Sequence, residues 1–104
     1  MNKKKVVLCH GVFDVLHAGH IKYLKKAKEL GDTLIVSVTS DKYVNKGPGR
    51  PIFNLNQRMG FLSDLQFVDK VYESNGLTAE KIIEKIKPDF YCKGIDYSNK
   101  SIKK

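Results

Sequence analysis

Short β-type apolar runs alternate with amphipathic stripes at helical spacing along this chain, and no other feature constrains its fold as strongly. Val6-Val7-Leu8-Cys9 reads as a strand closed by His10-Gly11. Ile21, Tyr23, Leu24, Ala27 and Leu30 then share one helical arc, with Lys22, Lys25, Lys26 and Glu29 opposite and Gly31 as the stop. Thr33 to Thr39 is a second strand, apolar enough to be covered on both faces. Lys46-Gly47-Pro48-Gly49-Arg50-Pro51 must be loop. Asn54 caps a helix running to about Leu65, with Met59, Leu62 and Leu65 inward and Gly60 as its weak point. Val68 to Tyr72 forms a third strand. Thr78 caps a helix striped by Ala79, Ile82, Ile83 and Ile86 and followed by Pro88. Asp89 to Cys92 is the last strand, leading into Lys93-Gly94-Ile95-Asp96-Tyr97. Strands and helices in this order predict the α/β class: a Rossmann-like parallel sheet with flanking helices.

A chain of 104 residues holds one domain of this kind. The expected division is a domain over 1–97 and a Lys-rich, solvated tail over 98–104. At 41% hydrophobic, 29% charged and 10% aromatic, the composition excludes disorder. No apolar run is long enough for a membrane span. The basic start Lys3-Lys4-Lys5 precedes an apolar stretch too short for a signal peptide, so the expected location is cytoplasmic. Cys9 and Cys92 have no metal-type spacing and read as buried, reduced thiols on strands. The net charge of +8 fits an anionic partner. Because 17 of the 19 basic residues are Lys, nucleotide or metabolite phosphates fit better than nucleic acid, whose readers lean on Arg.

In open parallel sheets ligands bind beyond the carboxyl ends of the strands. Directly after the first strand comes Gly11-Val12-Phe13-Asp14-Val15-Leu16-His17-Ala18-Gly19-His20, opening into the first helix. A helix start carries unpaired N–H groups and the positive end of the dipole, and so suits a phosphate. Gly19 would let backbone approach that phosphate, and His17 and His20 would donate ring N–H groups to it. The plainer alternative makes the histidines capping residues and the glycines turn formers. A zinc site is a weaker rival, since no carboxylate or cysteine lies at ligand spacing. Asp14 is as well suited to holding the turn through backbone N–H groups as to contacting a ligand. Phe13 reads as packing rather than stacking, and His10 receives no role.

This stretch resembles the nucleotidyltransferase superfamily, whose signature G-x-F-D-x-x-H-x-G-H is met by Gly11, Phe13, Asp14, His17, Gly19 and His20. The resemblance continues through Ser40-Asp41, the KGPGRPI segment from Lys46 to Ile52, Asn54-x-x-x-Arg58-Met59, Phe67-Val68-Asp69 and Lys93-Gly94-x-Asp96-Tyr97. Together these look like the adenylyltransferase domain of heptose-phosphate nucleotidyltransferases. The resemblance implies the nucleotidyltransferase type of the fold, with AMP transferred from ATP to a sugar phosphate and pyrophosphate released. It implies His17 and His20 as catalytic residues. Gly11, Val12, Phe13, Asp14, Gly19, Lys46, Arg58 and Asp96 become nucleotide-binding. Mg²⁺ would arrive bound to the nucleotide, with no metal site on the protein itself. Arg50 would shape its loop.

Two other readings stand beside this one. CTP with a polyol phosphate such as glycerol-3-phosphate would make the chain a cytidylyltransferase. A nucleotide-binding module without turnover is the other, because the family pattern continues past KGxDY with a strand and a Ser/Thr-rich loop that Ser98 and Ser101 do not reproduce. The expectation is thus a fragment, a shortened chain or a diverged homologue. A weakly held homodimer is also expected.

Overall fold

The computed structural model describes residues 4–44, 48–76 and 79–92. Four strands form one sheet in the order β3-β2-β1-β4: β1 is Val6–Gly11, β2 Thr33–Thr39, β3 Lys70–Ser74 and β4 Phe90–Cys92. Every pairing is parallel. Three α-helices accompany them: α1 Ala18–Lys28, α2 Leu55–Ser63 and α3 Glu80–Ile86. A single 3₁₀ turn, Asp41–Tyr43, follows β2.

Side chains alternate across each strand, and that alternation sorts the core into two clusters. Val7, Cys9, Leu34, Val36 and Val38 pack against Leu24 and Ala27 of α1 and Leu62 of α2 on one face. Leu8 and Ile35 pack against Ala79 and Ile82 beside α3 on the other. With the exception of Leu30, the apolar stripes therefore bury as their spacing predicts. β2 is buried from Leu34 onward, as an internal strand covered on both faces must be.

Three boundaries differ from expectation. The third strand runs two residues later than Val68 to Tyr72, because Val68 and Asp69 are spent at its entry, where Asp69 N–H donates to Leu34 O at 2.9 Å. Leu30 is 37% exposed, since α1 ends at Lys28 and the turn toward Gly31 swings it off the buried arc. The last strand begins at Phe90, with Asp89 holding the Val6 N–H at 2.7 Å. Thr78, expected as a cap, lies outside the described residues.

Cys9 and Cys92 face each other in register on β1 and β4, both buried and free. Contact with Cys92, reinforced by burial, pushes the Cys9 thiol far above its ordinary pKa, so it stays protonated. No helix among the described residues is long and apolar enough to cross a membrane.

Candidate active site

The order of the strands reverses between β1 and β4: from β1 the chain steps to β2 on one side, while β4 lies on the other. In open parallel sheets ligands bind at such a reversal, beyond the carboxyl ends of the strands, and the loop after Gly11 leaves β1 there.

His17 ends this loop as the N-cap of α1, with an extended backbone. Its Nδ1 accepts the Gly19 N–H at 3.0 Å, and His20 Nδ1 accepts the His17 N–H at 3.1 Å. The two imidazoles thus close a capping box, a task more often given to Ser or Thr with Glu or Gln. With each Nδ1 accepting from backbone, a neutral ring carries its proton on Nε2, and that atom becomes the donor. Capping thus occupies the Nδ1 edge of each ring.

The expected open N–H groups differ in one respect. The Gly19 N–H is already held by His17 at 3.0 Å, so it is not among the open groups of the turn. Gly19 also has a nearer purpose than approach of a ligand. A Cβ there would lie 2.9 Å from His17 Cε1 and 3.1 Å from Nδ1, so only glycine lets the His17 ring fold back over its own turn. The rings of His17 and His20 lie 3.9 Å apart between centroids, and Phe13 stands 5.4 Å from His20.

Phe13 is buried in the core and holds a φ of 51°, in the left-handed region that a bulky residue enters at about 1–2 kcal/mol. Its packing role is as expected; its backbone was not legible. Asp14, next in sequence, is 5% exposed. It accepts N–H groups from Ile52 at 2.8 Å and Phe53 at 3.1 Å, and Arg50 Nη1 at 2.8 Å. Burial alone would raise its carboxyl; the Ile52 N–H, the Arg50 guanidinium and the Phe53 N–H outweigh that and hold it below the ordinary aspartate value. Asp14 thus straps the 50–53 loop to the signature loop, and Arg50 shapes that loop with it.

Arg58 requires a correction. It was expected as a phosphate ligand beside the cleft, but it is 0% exposed. Its Nε donates to Phe53 O at 2.9 Å, its Nη1 to Val12 O and Thr39 O at 2.8 Å each, and its Nη2 to Asp41. A buried guanidinium must find acceptors, and four of them, from three segments of the chain, are supplied here. Gly11 ends β1, its carbonyl accepting the Thr39 hydroxyl at 3.4 Å, while the Val12 carbonyl points inward to Arg58. Lys46 and Asp96 lie outside the described residues.

Sequence reasoning passed over His10. It pairs in register with Ser37, and its Nδ1 lies 2.8 Å from Ser37 Oγ on the face of the sheet that α3 covers lower down. Burial lowers its pKa. The available signal was the polar break in two otherwise apolar strands, His10 in β1 and Ser37 in β2.

Known proteins share both the sequence and the fold of this chain. A family model described as cytidylyltransferase-like matches residues 8–103. The bifunctional protein HldE of Campylobacter concisus is 50% identical over 102 residues, 96% of this chain and 22% of that protein. HldE of Hahella chejuensis is 45% identical over 101 residues, 95% of this chain and 21% of the relative. This chain thus spans about a fifth of the length of these curated relatives. The solved structure of the lipopolysaccharide core biosynthesis protein from Thermoplasma volcanium GSS1 superposes with a TM-score of 0.77. It is 39% identical, over 84% of this chain and 71% of that one.

Proposed function

The chain belongs to the cytidylyltransferase-like family, and from that premise we propose that it transfers AMP from ATP to a sugar phosphate of the heptose-1-phosphate kind, releasing pyrophosphate. The observation that carries this reading is the pair of imidazoles at the start of α1, 3.9 Å apart between centroids and tilted by 38°, beside the strand ends where the strand order reverses. In the reaction an oxygen of the acceptor phosphate attacks the α-phosphorus of ATP. A new P–O bond forms, the bond from that phosphorus to the β-bridging oxygen breaks, and pyrophosphate leaves with the electron pair. Little covalent help is required; alignment and donors where negative charge collects do the rest. His17 and His20 supply such donors through Nε2–H. Asp14 and Arg50 hold the surrounding loops in place.

Among the described residues no three His, Cys, Asp or Glu side chains gather as metal ligands. Mg²⁺ in this reading is carried by the triphosphate and water. When bound, it neutralises charge on the phosphate oxygens. Preference for ATP over CTP is supported by the likeness of the Lys46 to Ile52 and Lys93 to Tyr97 segments to the adenylyl branch. The description of the matched family keeps the cytidylyl alternative, with a polyol phosphate as acceptor, in view.

A pyrophosphate-release assay with ATP or CTP against a panel of sugar and polyol phosphates tests the reading. ATP-dependent release with a sugar 1-phosphate is the expected result. Release confined to CTP with a polyol phosphate would transfer the assignment to the cytidylyl branch. Nucleotide binding without release would leave a binding module.

The same reading includes a weakly held homodimer in the cytoplasm. Ile52 and Phe61 are exposed at 54% and 39%, and β3 is a sheet edge among the described strands. Light scattering across a concentration series is expected to show reversible self-association; a constant monomer mass would remove it.

A further inference from the structure

Arg58 is a buried charge that touches two strand ends at once, and its contacts fall on the backbone of the signature loop. Nη1 bridges Val12 O at the mouth of β1 and Thr39 O at the end of β2, both at 2.8 Å. Nε holds Phe53 O at 2.9 Å, in the same loop that Asp14 grips through the Phe53 N–H at 3.1 Å. Asp41, half-exposed just past β2, balances the charge.

The contact with Val12 has a geometric consequence. A trans peptide points its C=O and N–H in opposite directions. Anchoring Val12 O on a fully buried guanidinium therefore turns the Phe13 N–H away from the interior. Phe13 is also the residue whose φ of 51° is costly for a side chain with a Cβ. Rotation of the Val12–Phe13 peptide would relieve that φ, and it would cost the Arg58 contact.

We propose that Arg58 is a positioning residue for the site: it holds the Val12–Phe13 peptide in its strained orientation, so that the Phe13 N–H joins the His17 and His20 Nε2–H groups as a donor to a phosphate. This rests on reading these strand ends as a phosphate site. Arg58 itself does not touch the ligand. It acts through the backbone on one side and through the spacing of β1 and β2 on the other.

The test compares Arg58→Lys with Leu62→Ala, a second buried α2 residue that contacts neither loop peptide in the hydrogen-bond network. Thermal unfolding ranks their stability loss. The ¹H–¹⁵N resonance of Phe13 is followed in each ligand-free protein, and then during titration with inorganic pyrophosphate and with ATP. Arg58→Lys is expected to displace or broaden the Phe13 resonance before any ligand is added, while Leu62→Ala leaves it in place. Pyrophosphate affinity should fall about tenfold further in Arg58→Lys than in Leu62→Ala at matched stability loss, roughly one charge-assisted hydrogen bond. An unmoved Phe13 resonance in Arg58→Lys, or equal affinity losses in the two variants, overturns the positioning role. Failure of the wild-type chain to bind either pyrophosphate or ATP overturns instead the phosphate reading on which it rests. Should Arg58→Lys not fold, Asp41→Asn is used. It leaves Arg58 in place without its counter-charge, and a Phe13 resonance that did not shift there would count against the proposal.

Discussion

Asp14 receives the Ile52 N–H at 2.8 Å across 38 positions of sequence, joining the loop after β1 to the loop before α2 by one carboxylate. The same oxygen takes the Phe53 N–H, and the other takes Arg50. Both walls of the candidate site thus depend on a side chain that sits within the signature itself.

Replacing Asp14 with Ala should therefore destabilise the fold by about 1–3 kcal/mol, since two backbone N–H groups lose their acceptor. Because the folded-state pKa of Asp14 lies below its unfolded value, its contribution is present above about pH 4 and fades as pH falls through the folded value. Urea unfolding of wild type and Asp14→Asn between pH 3 and pH 7 checks this. The gap between the two should narrow toward the acid end.

Each histidine of the pair carries two duties, and their loss should be separable. His17→Ala or His20→Ala should lower turnover by roughly 10²–10³ through a lost donor. Each should also cost about 1 kcal/mol of stability through the lost capping box. Asn at position 17 can still cap, so His17→Asn should recover the stability while turnover stays low. Thermal melts alongside the pyrophosphate assay distinguish the two effects.

Gly19→Ala should leave the fold intact, because Ala is a good helix former in a first turn. The added Cβ meets the His17 ring at 2.9 Å, so the ring must move. The expected outcome is lower turnover with a melting temperature little changed, the helix-propensity gain being offset by the weakened His17 cap. Wild-type turnover would show that the His17 ring position is not critical.

His10 predicts an acid-sensitive fold. Burial lowers its pKa, so between that value and about 6.5 the unfolded chain binds the proton first. Stability from His10 is complete above about pH 6.5 and is lost as pH falls below it. Urea midpoints at pH 7.5 and 5.5 should differ more for wild type than for His10→Asn. An NMR titration of the His10 ring should give a midpoint below that of a free imidazole.

Local features were legible in the residues alone because local physics produces them. Apolar spacing set the strands and helices, Asn54 capped α2 as its side chain allows, and Gly11 to His20 marked the turn that leads from β1 into α1. Asp14 was half legible, since a carboxylate in a turn seeks N–H groups, but nothing nearby named Ile52, Phe53 and Arg50 as its partners.

Arg58 was not legible at all. An arginine close to the signature in a family of this kind reads as a ligand, because an exposed charge is the common state of that residue. Its acceptors lie as far as 46 positions away, at Val12, and come together only when β1, β2 and α2 have packed. The pattern of apolar and turn residues therefore determined which elements form and where the site opens. Only the tertiary structure decided which charges lie at the surface and which lie beneath it, because burial depends on neighbours that sequence distance does not reveal.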